Sequence, residues 1–490
     1  MSCVLAFDLG GTSLRGGLVD ETGSIVAFMS VPSSAGQSAE ADPEIWWRDL
    51  SDLADALAVA APAAFAAVTA IAISAFTRTQ VFLDAAGRLT HPALLWHDSR
   101  AETVVEDLRT ACPSGHPEAT RLNAYHPAAR LLWLSRIAPE EFARTAYVVE
   151  PKDWLNFRLT GVLTSDSVSL ARLAATAAPA GRSILAAIGV PESLVPALRE
   201  PVSIMGRAVA GLPGVLSGLA GCPVVSMAND TWAAVAGLGA LQPGLAYNIS
   251  GTTEVLGLVA GHPATAEGLL DVVWGPDLHQ LGGPGQNGAD TLAWVLDLLG
   301  RRGDAGAALE ALLAEPRCQA PVLFLPFLQG ERVPFWDANL RGAFLGLNRQ
   351  HRAVDLAFSV MEGIAFLNRI VLERAEAGAG LRARELRFGG GGAANAAWCQ
   401  IKADILDRPV VAPAVEEPGL LGAAVAARVA CGEYPTLAAA QAALVRPGSR
   451  YVPDPDRRGH FDRLYAEFGQ AHIALAPVSR RLATWPADRR

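Results

Sequence analysis

Asp8-Leu-Gly-Gly-Thr-Ser-Leu-Arg-Gly-Gly-Leu-Val19 lies on Asn248-Ile-Ser-Gly-Thr-Thr-Glu-Val-Leu-Gly-Leu-Val259 at a constant offset of 240 residues, Asp8 on Asn248. Gly11/Gly251, Thr12/Thr252, Gly17/Gly257, Leu18/Leu258 and Val19/Val259 are identical. Each copy reads as a strand, a tight Gly/Thr turn and a second strand. A hairpin that recurs half a chain later predicts two similar α/β domains related by duplication.

Outward from the first copy, Val4–Leu9, Leu14–Val19 and Ser24–Val31 are apolar runs separated by the turns Gly10–Ser13 and Asp20–Gly23. They predict three antiparallel strands. Asp42 before Pro43 is a good helix start, and Ile45, Trp46, Leu50, Leu53, Ala54 and Leu57 keep helical spacing to about Ala61. Val68–Ser74 and Val81–Leu83 are the next strands, so the domain is a layered α/β one. Helical patterns such as Pro127–Ile137 follow, then a short strand Pro223–Ser226, Asn229-Asp230, and a small-residue helix Thr231–Leu241. Gln242-Pro243-Gly244 reads as a linker, which divides the chain into domains 1–242 and 243–490. After the second hairpin come a turn at Gly282–Gly288, helices Ala289–Leu299 and Ala353–Glu376, a strand Glu385–Phe388, the turn Gly389–Gly392, a helix Asn395–Leu406 and a last helix Leu420–Ala430.

Composition narrows the function. The 490 residues carry 40 Lys+Arg against 49 Asp+Glu, a net charge of −9, which speaks against a duplex-binding protein. Hydrophobic residues at 51 % exclude a disordered chain. Six cysteines are scattered with no C-x-x-C pair, which argues against a disulfide scaffold or zinc site and predicts a reducing compartment. The start has no basic n-region, and Asp8 interrupts its apolar run. Leu57–Ser74 is the most membrane-like stretch, but Pro62 breaks it and Ala dominates it, so it reads as a helix end, a loop and a buried strand. The expectation is a cytoplasmic protein with neither nucleic acid nor membrane as partner.

Two Gly/Thr turns facing each other across a cleft suit a polyphosphate. Glycine lets the backbone approach, and the amides and hydroxyls of Gly11, Thr12 and Ser13, and of Gly251, Thr252 and Thr253, donate to phosphate oxygens. Arg15 adds positive charge. Asp8, at the end of the first strand, either caps the turn or holds Mg²⁺ through water. Asp230, heading a helix, is either its N-cap or a general base for an attacking hydroxyl. Gly389–Gly392 is a nucleotide-type turn, but no acidic residue ends a strand about 20 positions on, which excludes a dinucleotide fingerprint.

From Val4 to about Tyr465 these motifs resemble the FGGY carbohydrate kinases, most nearly their xylulokinase-like branch. The resemblance rests on Asp8–Arg15, Trp96-His97-Asp98-Ser99-Arg100, Asp153-Trp154-Leu155 with Leu159-Thr160-Gly161 and Ser165-Asp166, and Asn229-Asp230. Ser250–Thr253, Gly330-Glu331-Arg332-Val333-Pro334 with Arg341-Gly342, Met361–Ile364, and Gly389–Asn395 complete it. It implies two duplicated actin/hexokinase-type (ribonuclease H-like) domains that close on ATP and a small sugar or polyol, the first binding sugar and the second nucleotide. It also implies Asp230 as base, Mg²⁺ near Asp8 and Asp230, Gly391 and Asn395 on the nucleotide, and Gly285 within the Gly282–Asn287 segment near its ribose. A homodimer is compatible with it.

Departures from the branch concern the substrate. Ser74-Ala75-Phe76-Thr77-Arg78-Thr79 stands where xylulokinases carry S-G-Q-M-H-G, Thr231 follows the catalytic Asp where Asn or Gln is common, and Arg130 replaces a common Lys. Thr77, Arg78, Trp96, Asp98 and Thr231 are the candidate acceptor contacts, with Arg78 binding an acidic substrate or pairing with Asp98. Pentulose, polyol and aldonate kinases all remain open. The opening also looks like a ROK sugar kinase, but the Cys-rich zinc motif and E-x-G-H segment of that family are missing. A catalytically silent ATP- or sugar-sensing module is the non-enzymatic alternative.

Overall fold

Cys3–Leu9 (β1) is buried at every position, as a strand covered on both faces must be. The structure, a computed structural model, describes residues 2–33, 38–178, 181–301 and 305–485. Ser13–Val19 (β2) returns antiparallel to β1, and Ile25–Pro32 (β3) returns antiparallel to β2, its side chains alternating between half-buried and exposed along the sheet edge. Val68–Ala75 (β4) pairs parallel with β1 on the other side. Ser203–Arg207 (β5) and Pro223–Ser226 (β6) complete a six-stranded sheet in the order β5-β6-β4-β1-β2-β3.

Asp42 caps the helix Pro43–Ala60 (α1), accepting from the Glu44 amide at 3.0 Å, and Trp46, Leu50, Leu53 and Leu57 bury one face of it in the core of this sheet. A smaller sheet of Glu40–Ala41, Gln80–Leu83, Leu89–Leu94 and Tyr147–Val149 shares a second core with the helices Pro127–Ile137 (α2) and Ala171–Ala177, while Pro151–Thr160 (α3) packs into the first. The helix Asp230–Gly237 (α4) ends this part of the chain. Leu57–Ser74 is the end of α1, a short helix Pro62–Ala66 and β4, and no helix among the described residues is long and apolar enough to cross a membrane.

The second hairpin is Ala246–Ser250 (β7) and Glu254–Ala260 (β8). With Leu270–Gly275 (β9), Leu278–Pro284 (β10), Leu386–Gly389 (β11), Val410–Pro413 (β12) and Pro447–Tyr451 (β13) it forms a sheet in the order β9-β10-β8-β7-β11-β12-β13. Apart from β9 this repeats the first sheet: from β3 and from β10 inward, successive pairings are antiparallel, antiparallel, parallel, parallel and antiparallel. The duplication therefore extends beyond the hairpins, with one correction. Leu9 pairs with Leu14, but Ile249 pairs with Val255 rather than Glu254, so the second turn holds one more residue and no single offset matches both arms.

Helices Ala289–Leu298 (α5), Ala353–Ala379 (α6) and Ala396–Leu406 (α7) follow in the second half, and then Pro418–Ala430 (α8) departs from expectation. The chain divides into Met1–Gly237 with Glu417–Val445, and Leu238–Glu416 with Arg446–Arg490. The boundary thus precedes the expected 242/243, and a segment expected in the C-terminal half folds with the N-terminal one. The reason is burial on all sides of α8: Gly419–Arg428 has no solvent-facing stripe. A Cβ on Gly237 would stand 1.8 Å from the Pro418 carbonyl oxygen, and one on Gly422 1.8 Å from that of Ala233, so α4 and α8 touch backbone to backbone. Nor is α8 the last helix. Leu437–Leu444 and the 29-residue Pro455–Ala483 (α9) follow it; the charge density and internal Pro477 of α9 mask an apolar stripe of Phe461, Leu464, Phe468 and Ala476.

Candidate active site

In the N-terminal unit the β1–β2 hairpin and two helices place the acidic residues. Asp8 stands in register with Ser74 on β4 and Arg15 on β2. The Ser74 hydroxyl donates to Asp8 Oδ1, and Arg15 Nη1 lies 3.8 Å from Asp8 Oδ2 and 3.3 Å from Glu417 Oε2. Gly419, in the first turn of α8, is small of necessity: a Cβ there would meet Asp8 Oδ2 at 2.6 Å. Burial pushes the Asp8 carboxyl up, opposed by Ser74 and Arg15.

Asp230 opens α4 but does not cap it in the usual way. Asn229 does, its Oδ1 accepting from the Trp232 amide at 3.0 Å. Asp230 Oδ1 instead accepts from the adjoining Thr231 amide at 2.7 Å, with the Thr231 hydroxyl at 3.4 Å. Burial, and then the charge of Asp8, push the Asp230 carboxyl up to about 7, against the pull of Thr231 and Arg78. Two electrostatically coupled carboxylates with hard oxygen donors fit Mg²⁺, which takes one or two protein carboxylates and fills its shell with water and phosphate oxygens. Among the described residues no group of three or more His, Cys, Asp or Glu forms a complete protein metal cage.

Thr77, Arg78 and Trp96 belong to one braced wall. Glu150, at the N-terminus of α3, accepts from Thr77 Oγ1 at 3.4 Å and from the amides of Arg78 and Thr79 at 3.1 and 3.3 Å. Burial and Asp153 push the Glu150 carboxyl up to about 8. From α2, Arg130 Nη1 donates to the Arg78 carbonyl at 2.6 Å, and Nη2 to those of Trp96 at 2.9 Å and Asp98 at 3.2 Å. Trp96 also covers the hairpin turn: a Cβ on Gly11 would stand 2.8 Å from its Cη2. The Asp98 carboxylate does not pair with Arg78. Arg100 engages it through its amide, Nε and Nη2 at 3.0, 3.0 and 2.9 Å, leaving Asp98 only 2 % exposed. Replacing Arg130 with Met is expected to lower stability by about 2–3 kcal/mol, since buried carbonyls lose a charged donor. Urea unfolding checks the stability, and the KM for the acceptor should rise as the wall loosens.

In the C-terminal unit Gly251, Thr252 and Thr253 form the tight turn between β7 and β8, closed by the Gly251 amide on the Thr253 carbonyl at 3.0 Å. The Ala289 amide, at the start of α5, donates to the Gly251 carbonyl at 2.9 Å, and the Gly285 amide to the Glu254 carbonyl at 2.8 Å. Glu331 anchors the same loop, accepting from the Gln286 amide at 2.6 Å and from Asn287 Nδ2 at 2.9 Å. Gly390, with φ of +84°, packs on the Ser250 backbone, whereas Gly391 beside it faces open space. Gly251, Gly285 and Gly391 are thus brought together around one turn. Asn395 is not so free: its Oδ1 caps α7, accepting from the Trp398 amide at 2.9 Å. A cavity of about 370 Å³ lined by Asn287, Asp290, Thr291, Trp294, Leu328 and Gln329 adjoins the loop.

Family models match both halves: the N-terminal domain of the FGGY family of carbohydrate kinases over residues 3–237, and its C-terminal domain over residues 246–431. The chain belongs to the FGGY family of carbohydrate kinases. It is 26 % identical to a xylulose kinase of Lactococcus lactis subsp. lactis, covering 98 % of this chain and 99 % of that one. It is 31 % identical to glycerol kinase 2 of Pseudomonas aeruginosa over 89 % of this chain and 90 % of that one. The crystal structure of a xylulose kinase from Rhodospirillum rubrum matches with a TM-score of 0.85 and 27 % identity, covering 98 % of this chain and all of that one. As an FGGY kinase the chain is an enzyme that uses ATP.

Sequence reading missed several residues that hold this site. Glu150 was hidden as an ordinary acid before Pro151, although its capping box with Asp153 is a readable signal. Glu417 and Gly419 lie some 400 residues from Asp8, and only the return of α8 brings them to it.

Proposed function

We propose that this FGGY kinase transfers the γ-phosphoryl group of ATP to a hydroxyl of a small polyhydroxy acceptor. The observation that carries this reading is Asp230, released from capping by Asn229 and poised near pH 7 beside Asp8. Its carboxylate takes the acceptor hydroxyl proton as the oxygen attacks phosphorus; the new O–P bond forms and the bond to the β-phosphate oxygen breaks, its electron pair leaving with ADP. Thr231 orients Asp230 through its amide. Asp8 and Asp230 would hold Mg²⁺, which when bound neutralises phosphate charge. The backbone amides of the Gly251–Thr253 turn and Gly391 are suited to the nucleotide phosphates. Gly11, Thr12, Ser13 and Arg15 serve the transferring phosphoryl group, and Thr77, Arg78 and Trp96 the acceptor.

The relatives named xylulose kinase favour a ketopentose, whereas the Thr77–Arg78 replacement in the braced wall favours a different polyol or aldonate. Coupled ADP release with ATP, Mg²⁺ and a panel of pentuloses, polyols and aldonates tests the proposal. Acceptor-dependent turnover is the expected result. Ordinary ATP binding with no stimulation by any acceptor would point to a sensing module and sink the kinase reading.

A further inference from the structure

A lysine is sealed inside the C-terminal unit at the foot of the Gly251–Thr253 turn. Lys402, on α7, has no solvent exposure, and its ammonium donates to Asn248 Oδ1 at 2.8 Å, to Glu254 Oε1 at 3.0 Å and to Asn368 Oδ1. Asn368, on α6, closes the circuit through its Nδ2, which donates to Glu254 Oε2 at 2.6 Å. The rings of Phe388 and Trp398 lie 4.7 and 5.5 Å from the ammonium. Every N–H of the lysine thus has an acceptor in a site without water access. Burial disfavours the charge on Lys402, and Glu254 upholds it.

A buried ion pair adds little to stability by itself, because desolvation offsets its attraction and apolar residues of similar volume usually serve a core as well. What the ammonium supplies is fixed geometry, and the groups it fixes are the two arms of one hairpin. Asn248 lies near the end of β7, and Glu254 opens β8 directly after Thr253, while Gly251 and Thr252 between them are exposed. The Glu254 carbonyl accepts from the Gly285 amide at 2.8 Å, so the brace extends to the Gly285–Asn287 loop. Lys402 itself stands on the helix that Asn395 caps, just after Gly391. At the offset of 240 Asn248 is the counterpart of Asp8, and each pairs in parallel with the neighbouring strand, Asp8 with Ser74 and Asn248 with Phe388. In the first sheet this position is the carboxylate proposed for Mg²⁺. In the second it is a neutral amide, and the cation beside it is the chain's own ammonium.

We propose that Lys402 and Glu254 are positioning residues for the nucleotide: the buried pair ties β7, β8, α6 and α7 together and holds the Gly251–Thr253 amides ready for phosphate. This rests on the reading of that turn as the phosphate cradle. Without the brace the turn must be ordered at the moment of binding, and that cost falls on ATP affinity. Thr77, Arg78 and Trp96 belong to the other unit and make no contact with the pair, so acceptor binding should be spared.

The test is made on the full chain with two variants. Lys402→Met leaves Glu254 charged and unpaired in the core, whereas Lys402→Met/Glu254→Gln removes both charges at nearly constant volume. Urea unfolding is expected to show the double variant more stable than the single one. Its Kd for ATP with Mg²⁺, by calorimetry, and its KM for ATP should nevertheless rise roughly 10-fold, the effect of ordering a loosened turn at binding. kcat should change less, and the KM for the best acceptor of the panel should stay within about twofold of wild type. A merely structural pair predicts instead that ATP affinity returns with stability. Gly251→Asp, which sets a carboxylate on the turn itself, checks the underlying reading and should weaken ATP binding independently of Lys402. Wild-type ATP affinity in the double variant, or a parallel rise in both KM values, overturns the positioning role and leaves the turn as the phosphate cradle. ATP affinity indifferent to Gly251→Asp overturns the reading of the turn, and this inference with it.

Discussion

Replacing Asp230 with Asn is expected to lower kcat by roughly 10²- to 10⁴-fold, the usual contribution of a positioned general base. Affinity for metal-free ATP, measured by calorimetry without acceptor or Mg²⁺, should change little, because the amide is isosteric and the Gly251–Thr253 turn is untouched. The wild-type pH profile supplies an independent check. With the Asp230 carboxyl raised to about 7, the base is protonated below that pH, so kcat/KM should fall on the acid side and level off above it. The stability consequence has the opposite sense. A carboxyl raised from its ordinary value contributes stability at low pH that is lost as pH rises through about 7, because the charged form is the one burial disfavours. Asp230→Asn, which cannot ionise, should therefore melt higher than wild type at pH 8 while turning over far more slowly. A variant that is both slow and less stable would indicate a structural role instead.

Gly422→Ala is expected to be among the most destabilising single methyls in the protein, with its counterpart Gly237→Ala. The added carbon would stand 1.8 Å from the Ala233 carbonyl oxygen, and the obstacle is helix backbone rather than a side chain that can swing away. Overpacking of this kind costs about 3 kcal/mol, at the upper end of its range. The damage should reach the site as well. α4 carries Asp230 and α8 carries Gly419 against Asp8, so separating the helices displaces both carboxylates. Chemical denaturation and kcat should fall together in this variant, whereas Gly432→Ala, where a Cβ meets nothing within 4 Å, tests only the strain of a φ of +81°. Retention of full stability by Gly422→Ala would show that α4 and α8 can separate at little cost.

Much of the site could be read directly from the chain. Asp8, Arg15 and the Gly/Thr turn fall within eight consecutive residues of one hairpin, so local pairing alone puts Asp8 opposite Arg15. Asp230 was legible as a residue, but that Asn229 rather than Asp230 caps α4 depends on which side chain the Trp232 amide reaches. The wall of Thr77, Arg78 and Trp96 was half legible. Its residue types departed from the xylulokinase pattern, yet that Asp98 answers to Arg100, and Arg78 to Glu150 and Arg130, follows from side chains whose rotamers no spacing rule fixes.

By itself the sequence determined what depends on short-range periodicity and on repetition: the buried β1, the capped α1, the paired hairpins, and hence two α/β units of one strand pattern. Hairpins form between residues a few positions apart, so the pairing is written locally. The tertiary structure alone decided that α8 leaves the second half of the chain for the first. A helix apolar on every face specifies that it must be buried, but not in which of two similar cores, and here glycines on both partners let it settle against α4 with Gly419 beside Asp8.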